Sequence, residues 1–176
     1  EVGPQKAALS LKKHLYFFIE TAQSWQINAT PTHEQLLQAL QPSELKTFKL
    51  PVRWLKVCFN LQIDEAIQKF HSEQAQITKL INRLGQQTEQ IAALCSYKDY
   101  LALRLKQDRI QIRSIRLAIK PATELLFLCQ CKGVKLPNNA LTMAYLSQHP
   151  SHYAALTGFI NFLNENYGTG IEYLQF

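Results

Sequence analysis

The sequence predicts an all-α fold, an orthogonal helical bundle made of two small helical subdomains. Apolar residues recur at three- and four-residue spacing through nearly the whole chain, which is the period of a half-buried helix. Clusters containing Pro, Gly or Asn cut that pattern into helix-length pieces. One short alternation, Ile110-Gln111-Ile112-Arg113, also permits a strand, but nothing nearby offers a partner with the same pattern. With 176 residues, 47% of them hydrophobic, the chain has the material for a real core.

A first helix is expected over residues 6–26, with Leu9, Leu11, Leu15, Phe18, Ile19, Ala22 and Trp25 as its apolar positions. Asn28-Ala29-Thr30-Pro31 ends it. Thr32 followed by Gln35 resembles a capping box for a short helix reaching Leu40. Pro42-Ser43-Glu44 and Leu50-Pro51 open two more short segments, the second bearing Val52, Trp54, Leu55, Cys58 and Phe59. Residues 64–84 read as an amphipathic helix that turns Ala66, Ile67, Phe70, Ile77, Leu80, Ile81 and Leu84 inward and stops at Gly85. Residues 86–120 form one long helix or two, with Ile91, Leu94, Leu101, Leu105, Ile112, Ile115 and Ile119 inside. Pro121 suits a first helical turn, so a new, strongly apolar helix is expected from there to Gly133. Asn138 or Asn139 caps the next helix, to about Gln148. Ser151 caps the last one, whose core candidates are Ala155, Leu156, Phe159, Ile160, Phe162 and Leu163 before Gly168. The domain division is drawn at 1–85 and 86–176.

The net charge is +6 although only 18% of residues are charged, so cations act in a surface otherwise rich in neutral polar groups. Phosphate backbones and anionic surfaces suit that balance. The four cysteines, Cys58, Cys95, Cys129 and Cys131, lie in apolar segments and are expected as buried free thiols. Cys129 and Cys131 are too close for a zinc knuckle and lack a second pair, so no metal or other cofactor is expected. The chain has no apolar run near the ~18 residues of a membrane span and no signal peptide, which implies no membrane and a cytoplasmic setting. Its ends, Glu1 and the apolar stretch closing at Phe176, look like those of an excised piece of a longer protein.

The feature with most functional content is a run of cations. Arg109, Arg113, Arg116 and Lys120 follow one another at steps of four, three and four, with Lys106 about a turn earlier. On a single helix at about 100° per residue they share one narrow stripe, a quarter-turn from the apolar positions. Such a ridge suits a polyanion, and nucleic acid above all. The competing reading is a solvated helix face. Lys132 and Lys135 bracket the turn after the apolar helix, where a plain polar turn competes with a further phosphate contact. Gln107 and Gln111 are chemically suited to base edges. Lys46, Lys49, Arg53 and Lys56 interleave with Phe48 and Trp54 in the manner of a stacking platform, but Trp54, spaced with Cys58, reads as core. His14, His33, His71, His149 and His152 show no convincing catalytic partner.

Residues 115–168, IRLAIKPATELLFLCQCKGVKLPNNALTMAYLSQHPSHYAALTGFINFLNENYG, form a unit. In helix order and apolar spacing this unit resembles the core-binding domain of tyrosine recombinases, the phage-integrase class. The carrying features are a Leu-Leu-Phe-Leu run leading to a Gly, a short helix before a Pro turn, and the closing ALTGFINFLNENYG helix. The resemblance implies a domain that clamps duplex DNA at a recombination half-site, as a homo-oligomer on DNA, while a separate domain cuts and rejoins the strand. That second domain needs an Arg, a His-x-x-Arg segment and a Tyr nucleophile. Tyr167 and Tyr173 sit too near the end to serve, so no catalytic residue is assigned and the fragment itself is not expected to be an enzyme. Two rival functions remain, a helical protein-interaction module and an RNA-binding bundle.

Overall fold

The computed structural model describes residues 4–24, 30–85 and 89–172 and is all-α. Its helices are α1 (Pro4–Thr21), α2 (His33–Ala39), α3 (Pro42–Leu45), α4 (Lys49–Phe59), α5 (Glu65–Ile81), α6 (Glu89–Lys106), α7 (Ile112–Cys131), α8 (Asn139–Gln148) and α9 (Tyr153–Tyr167). Among the described residues, no helix is long and apolar enough to cross a membrane. The chain divides into two compact units, Glu1–Ala75 and Gln76–Phe176. The division falls inside α5 and not at Gly85, because Ile67 packs on the first core while Ile77 and Leu84 belong to the second.

In the first unit, Phe17, Leu36, Leu37, Leu40, Leu45, Phe48, Leu55 and Leu61 form the core. The capping box at the head of α2 is present, with Gln35 N–H donating to Thr32 Oγ1 and Thr32 N–H to Gln35 Oε1. Helix α1 is rotated from its expected setting. Phe17 and Thr21 are fully buried, whereas Leu9, Leu11, Leu15 and Ile19 are exposed. Aromatic packing selects that face: the Phe17 ring lies 5.3 Å from both Phe18 and Phe48. Trp25 lies outside the described residues. In α4 the buried positions are Pro51 and Leu55, so Trp54 and Cys58 are exposed rather than core. Trp54 instead meets Phe18 and Phe59 edge-on, at 5.8 and 4.8 Å. In α5, Phe70 is likewise exposed.

The second unit is organised on α7. Its expected break at Pro121 is absent, and the proline is the tenth of twenty residues in a continuous helix. Ile115, Ile119, Ala122, Leu126 and Cys129 form a buried stripe at steps of four, three, four and three, and the stripe crosses the proline without changing register. Burial of Ile115, Ile119, Leu125 and Leu126 favours that geometry by roughly 6–12 kcal/mol. An interior proline costs about 3 kcal/mol. Tertiary packing therefore decides the outcome. Helix α7 ends in a Schellman turn, with Gly133 at φ 67°, Val134 N–H donating to Cys129 O and Gly133 N–H to Gln130 O.

Helices α6, α8 and α9 all pack on α7. Tyr97 of α6 sits among Phe159, Phe162 and Tyr100, with ring centroids 5.0, 5.2 and 6.2 Å away, and burial pushes its phenol up to about 12. Asn138 caps α8 by accepting from Leu141 N–H. Ser151 lies in a 3-10 turn (Pro150–His152), so α9 starts at Tyr153, one residue later than its cap would place it. After Gly168, Asn164 holds the returning chain: its Nδ2 donates to Ile171 O, and its Oδ1 accepts from Ile171 N–H and Thr169 Oγ1. Those bonds seat Ile171 in the core.

Only Cys129 is buried; Cys58 and Cys131 are exposed and Cys95 is half-buried, so the expectation of four buried thiols is corrected. Burial raises the Cys129 thiol to about 11.

Two outcomes follow from this packing. Asn164→Ala leaves the Ile171 amide without its partner and should lower the stability of the second unit by about 1–3 kcal/mol, measured by denaturant unfolding. His33 of α2 is buried and its Nδ1 accepts from Asp64 N–H, and burial is the main cause that lowers its pKa below 6.5. The unfolded chain thus binds that proton more readily than the folded one. The stabilisation is complete above about pH 6.5 and is lost as the pH falls through the depressed folded-state value. Thermal unfolding between pH 7.5 and 5 should show a steeper acid-side decline for the native chain than for His33→Asn, which keeps an acceptor but does not titrate.

Candidate nucleic-acid interface

All seven predicted contact residues lie in the second unit, but they do not sit on one helix. Lys106 is the last residue of α6, Arg109 lies in the connection, and Arg113, Arg116 and Lys120 belong to α7. The single ridge from 106 to 120 is thus corrected to a helix end, a corner and a helix face. The physical reason is a Schellman turn at Asp108. Asp108 adopts φ 54°, its N–H donates to Leu105 O at 3.0 Å, and Arg109 N–H donates to Arg104 O at 3.0 Å. Two backbone bonds therefore fold the chain back and place Arg109 beside the last turn of α6.

The chain re-enters a helix at Gln111, whose backbone is extended and whose carbonyl accepts from Ser114 and Ile115 N–H. Arg113, Arg116 and Lys120 then fall within about 60° of one another around α7. Arg113 and Lys120 are exposed, and Arg116 is half-buried beside the apolar stripe. Between residues 104 and 120 there are six cations and one carboxylate, that of Asp108. Among the described residues, no ion pair involves Lys106, Arg109, Arg113 or Lys120. Potential of one sign accumulates along this corner and the start of α7.

Lys132 and Lys135 are not part of that surface. They follow the far end of α7, and at 1.5 Å per residue Lys132 lies about 28 Å along the axis from Arg113. Lys132 is exposed at the helix end. Lys135 is engaged with Glu89, Nζ to Oε1 at 2.7 Å, and that hydrogen bond raises its pKa. Together with Gln90 Nε2 donating to Val134 O, this contact ties the 133–135 turn to the start of α6.

The cation pattern alone misses Tyr100 and Arg104. Tyr100 is 42% exposed, and the Arg104 guanidinium lies 5.9 Å from its ring centroid. With Leu103, Gln107 and Arg109 they line an open cleft of about 370 Å³. The signal available in the sequence is the four-residue step from Tyr100 to Arg104, which stacks the two side chains on one helix face. Gln111 caps α7 without a side-chain hydrogen bond.

A second polar group joins α7, α8 and the following turn. Tyr145 Oη donates to Glu124 Oε2 at 2.8 Å and lies 2.7 Å from His152 Nδ1, with the His149 and His152 rings stacked at 5.4 Å. His152 therefore has close polar partners in Tyr145 and Glu124. Burial, with Glu124 adding to it, pushes the Tyr145 phenol well above its ordinary 10, so it serves as a hydrogen-bond donor and not as a nucleophile.

Asp108→Gly tests the corner. A left-handed L-residue costs up to about 1–2 kcal/mol, and glycine removes part of that cost. Thermal unfolding of the second unit should shift upward by a few degrees.

Comparison with known proteins finds no matching family model, no similar curated protein and no similar solved structure.

Proposed function

We propose that the chain is the DNA-binding part of a site-specific tyrosine recombinase or integrase, which grips duplex DNA through the α6–α7 corner and the first turns of α7. The observation that carries this reading is the corner itself. The backbone of Arg109 is fixed by a hydrogen bond, and Arg113, Arg116 and Lys120 continue from it along one side of α7, with Asp108 the one carboxylate between residues 104 and 120. Guanidinium and ammonium groups at this spacing suit successive phosphates, which set position and orientation while leaving sequence to other contacts. The likeness of residues 115–168 to the core-binding pattern supplies the recombinase class. In that class strand cutting belongs to a separate domain, and a second copy on the same DNA is the expected partner.

A protein-interaction role is favoured for the first unit by one observation: Leu9, Leu11, Leu15 and Ile19 of α1 are all more than half exposed. It concerns another surface and is compatible with DNA binding by the second unit.

Mobility-shift titration of a blunt duplex across salt, with RNA of equal length as competitor, tests the proposal. Each phosphate neutralised contributes about −0.9 to the slope of log K against log salt, so the triple variant Arg113→Ala, Arg116→Ala, Lys120→Ala should flatten that slope by roughly 2–3. An unchanged slope, or preference for the RNA, would reject duplex DNA as the ligand.

A further inference from the structure

We propose that the cleft formed by Tyr100, Leu103, Arg104, Gln107 and Arg109 seats one unpaired nucleotide, its base on the aromatic and guanidinium surface and its phosphate on Arg109. The inference rests on the nucleic-acid reading and names a substrate feature, an unstacked base, that phosphate contacts along α7 do not require.

The first argument is the platform. Tyr100 keeps 42% of its surface in water, while its ring is braced from within by Tyr97 and Phe162 at centroid distances of 6.2 and 5.5 Å. A braced aromatic ring loses little freedom when a base stacks on it, and every base has a π-face to offer. Arg104, whose guanidinium lies over that ring at 5.9 Å, presents its own flat face and N–H donors above it.

The second argument is the placing of the charge. Arg109 comes from the connection, five residues after Arg104, yet its N–H is bonded to the Arg104 carbonyl at 3.0 Å. The turn thereby brings two guanidinium groups to one cleft whose floor is aromatic. Gln107, between them, carries an amide that both donates and accepts, the pairing a base edge asks for.

Size and access complete the case. About 370 Å³ lies near the lower end of small-molecule sites, which run from ~300 to 1,000 Å³, and fits one nucleotide better than a longer stretch. A base inside a duplex has both faces covered and must leave the stack to reach Tyr100. The occupant is therefore an overhanging, bulged or extruded nucleotide attached to the DNA that α7 holds.

The experiment compares three DNAs: a blunt duplex, the same duplex with a three-nucleotide overhang, and that overhang made abasic. The overhang should bind about tenfold tighter than the other two, and 2-aminopurine in the overhang should lose emission on binding. Tyr100→Ala should abolish the tenfold difference between the overhang and the blunt duplex, while Tyr100→Phe, which keeps the ring and the packing, should retain it. If Tyr100→Ala does not fold, Gln107→Ala and the abasic overhang carry the test, each expected to reduce the gain. Equal affinity for all three DNAs would overturn the nucleotide seat while leaving duplex binding intact. A Tyr100-dependent preference for the overhang with no binding to the blunt duplex would uphold the seat and overturn the duplex reading.

Discussion

The second unit depends on one constraint, the unbroken burial of one side of α7. Because Ile115, Ile119, Ala122, Leu126 and Cys129 keep their spacing through Pro121, three neighbouring helices share a single continuous support. The polar features along α7 are all referred to it. The cations of its first turns, the Glu124–Tyr145–His152 group near its middle and the glycine turn at its end each take their position from the same apolar stripe. Removing the peptide N–H at Pro121 weakens the local ladder, but the hydrophobic term is several times larger and fixes the conformation.

The same balance explains which parts of the fold were legible beforehand. Helix stops written in backbone chemistry could be read directly: Gly133 and Gly168 both adopt the left-handed conformation that glycine permits, and Thr32 with Gln35 makes the reciprocal capping bonds. Features decided by long-range packing could not. A proline rule places a boundary at Pro121, yet the core overrides it. Around α1 and α4 the apolar residues are too numerous for periodicity to choose a face, so the choice fell to the aromatic contacts of Phe17 and Phe48, which turn Leu11, Leu15 and Trp54 outward.

The candidate interface was legible in its residue types and not in its geometry. The spacing of Arg109, Arg113, Arg116 and Lys120 fits a single helix, but the left-handed backbone of Asp108 ends α6 before Arg109, and the extended backbone of Gln111 sets Arg109 apart from the cations of α7. Aspartate is a far weaker sign of that conformation than glycine, so the corner left no mark in the pattern. Tyr100 and Arg104 escaped for a related reason: their meaning comes from the turn that sets Arg109 beside them. Lys135 shows the reverse case, a cation whose sequence position invited a phosphate but whose side chain is already held by Glu89.

The corner at Asp108 is held by main-chain hydrogen bonds and owes nothing to the side chain of Arg109. Its location is therefore indifferent to what that residue is. Lysine, glutamine or an aromatic at this position would occupy the same point in space, so the chemistry displayed there is free to drift, or to be re-engineered, without losing the main-chain bonds that make the turn.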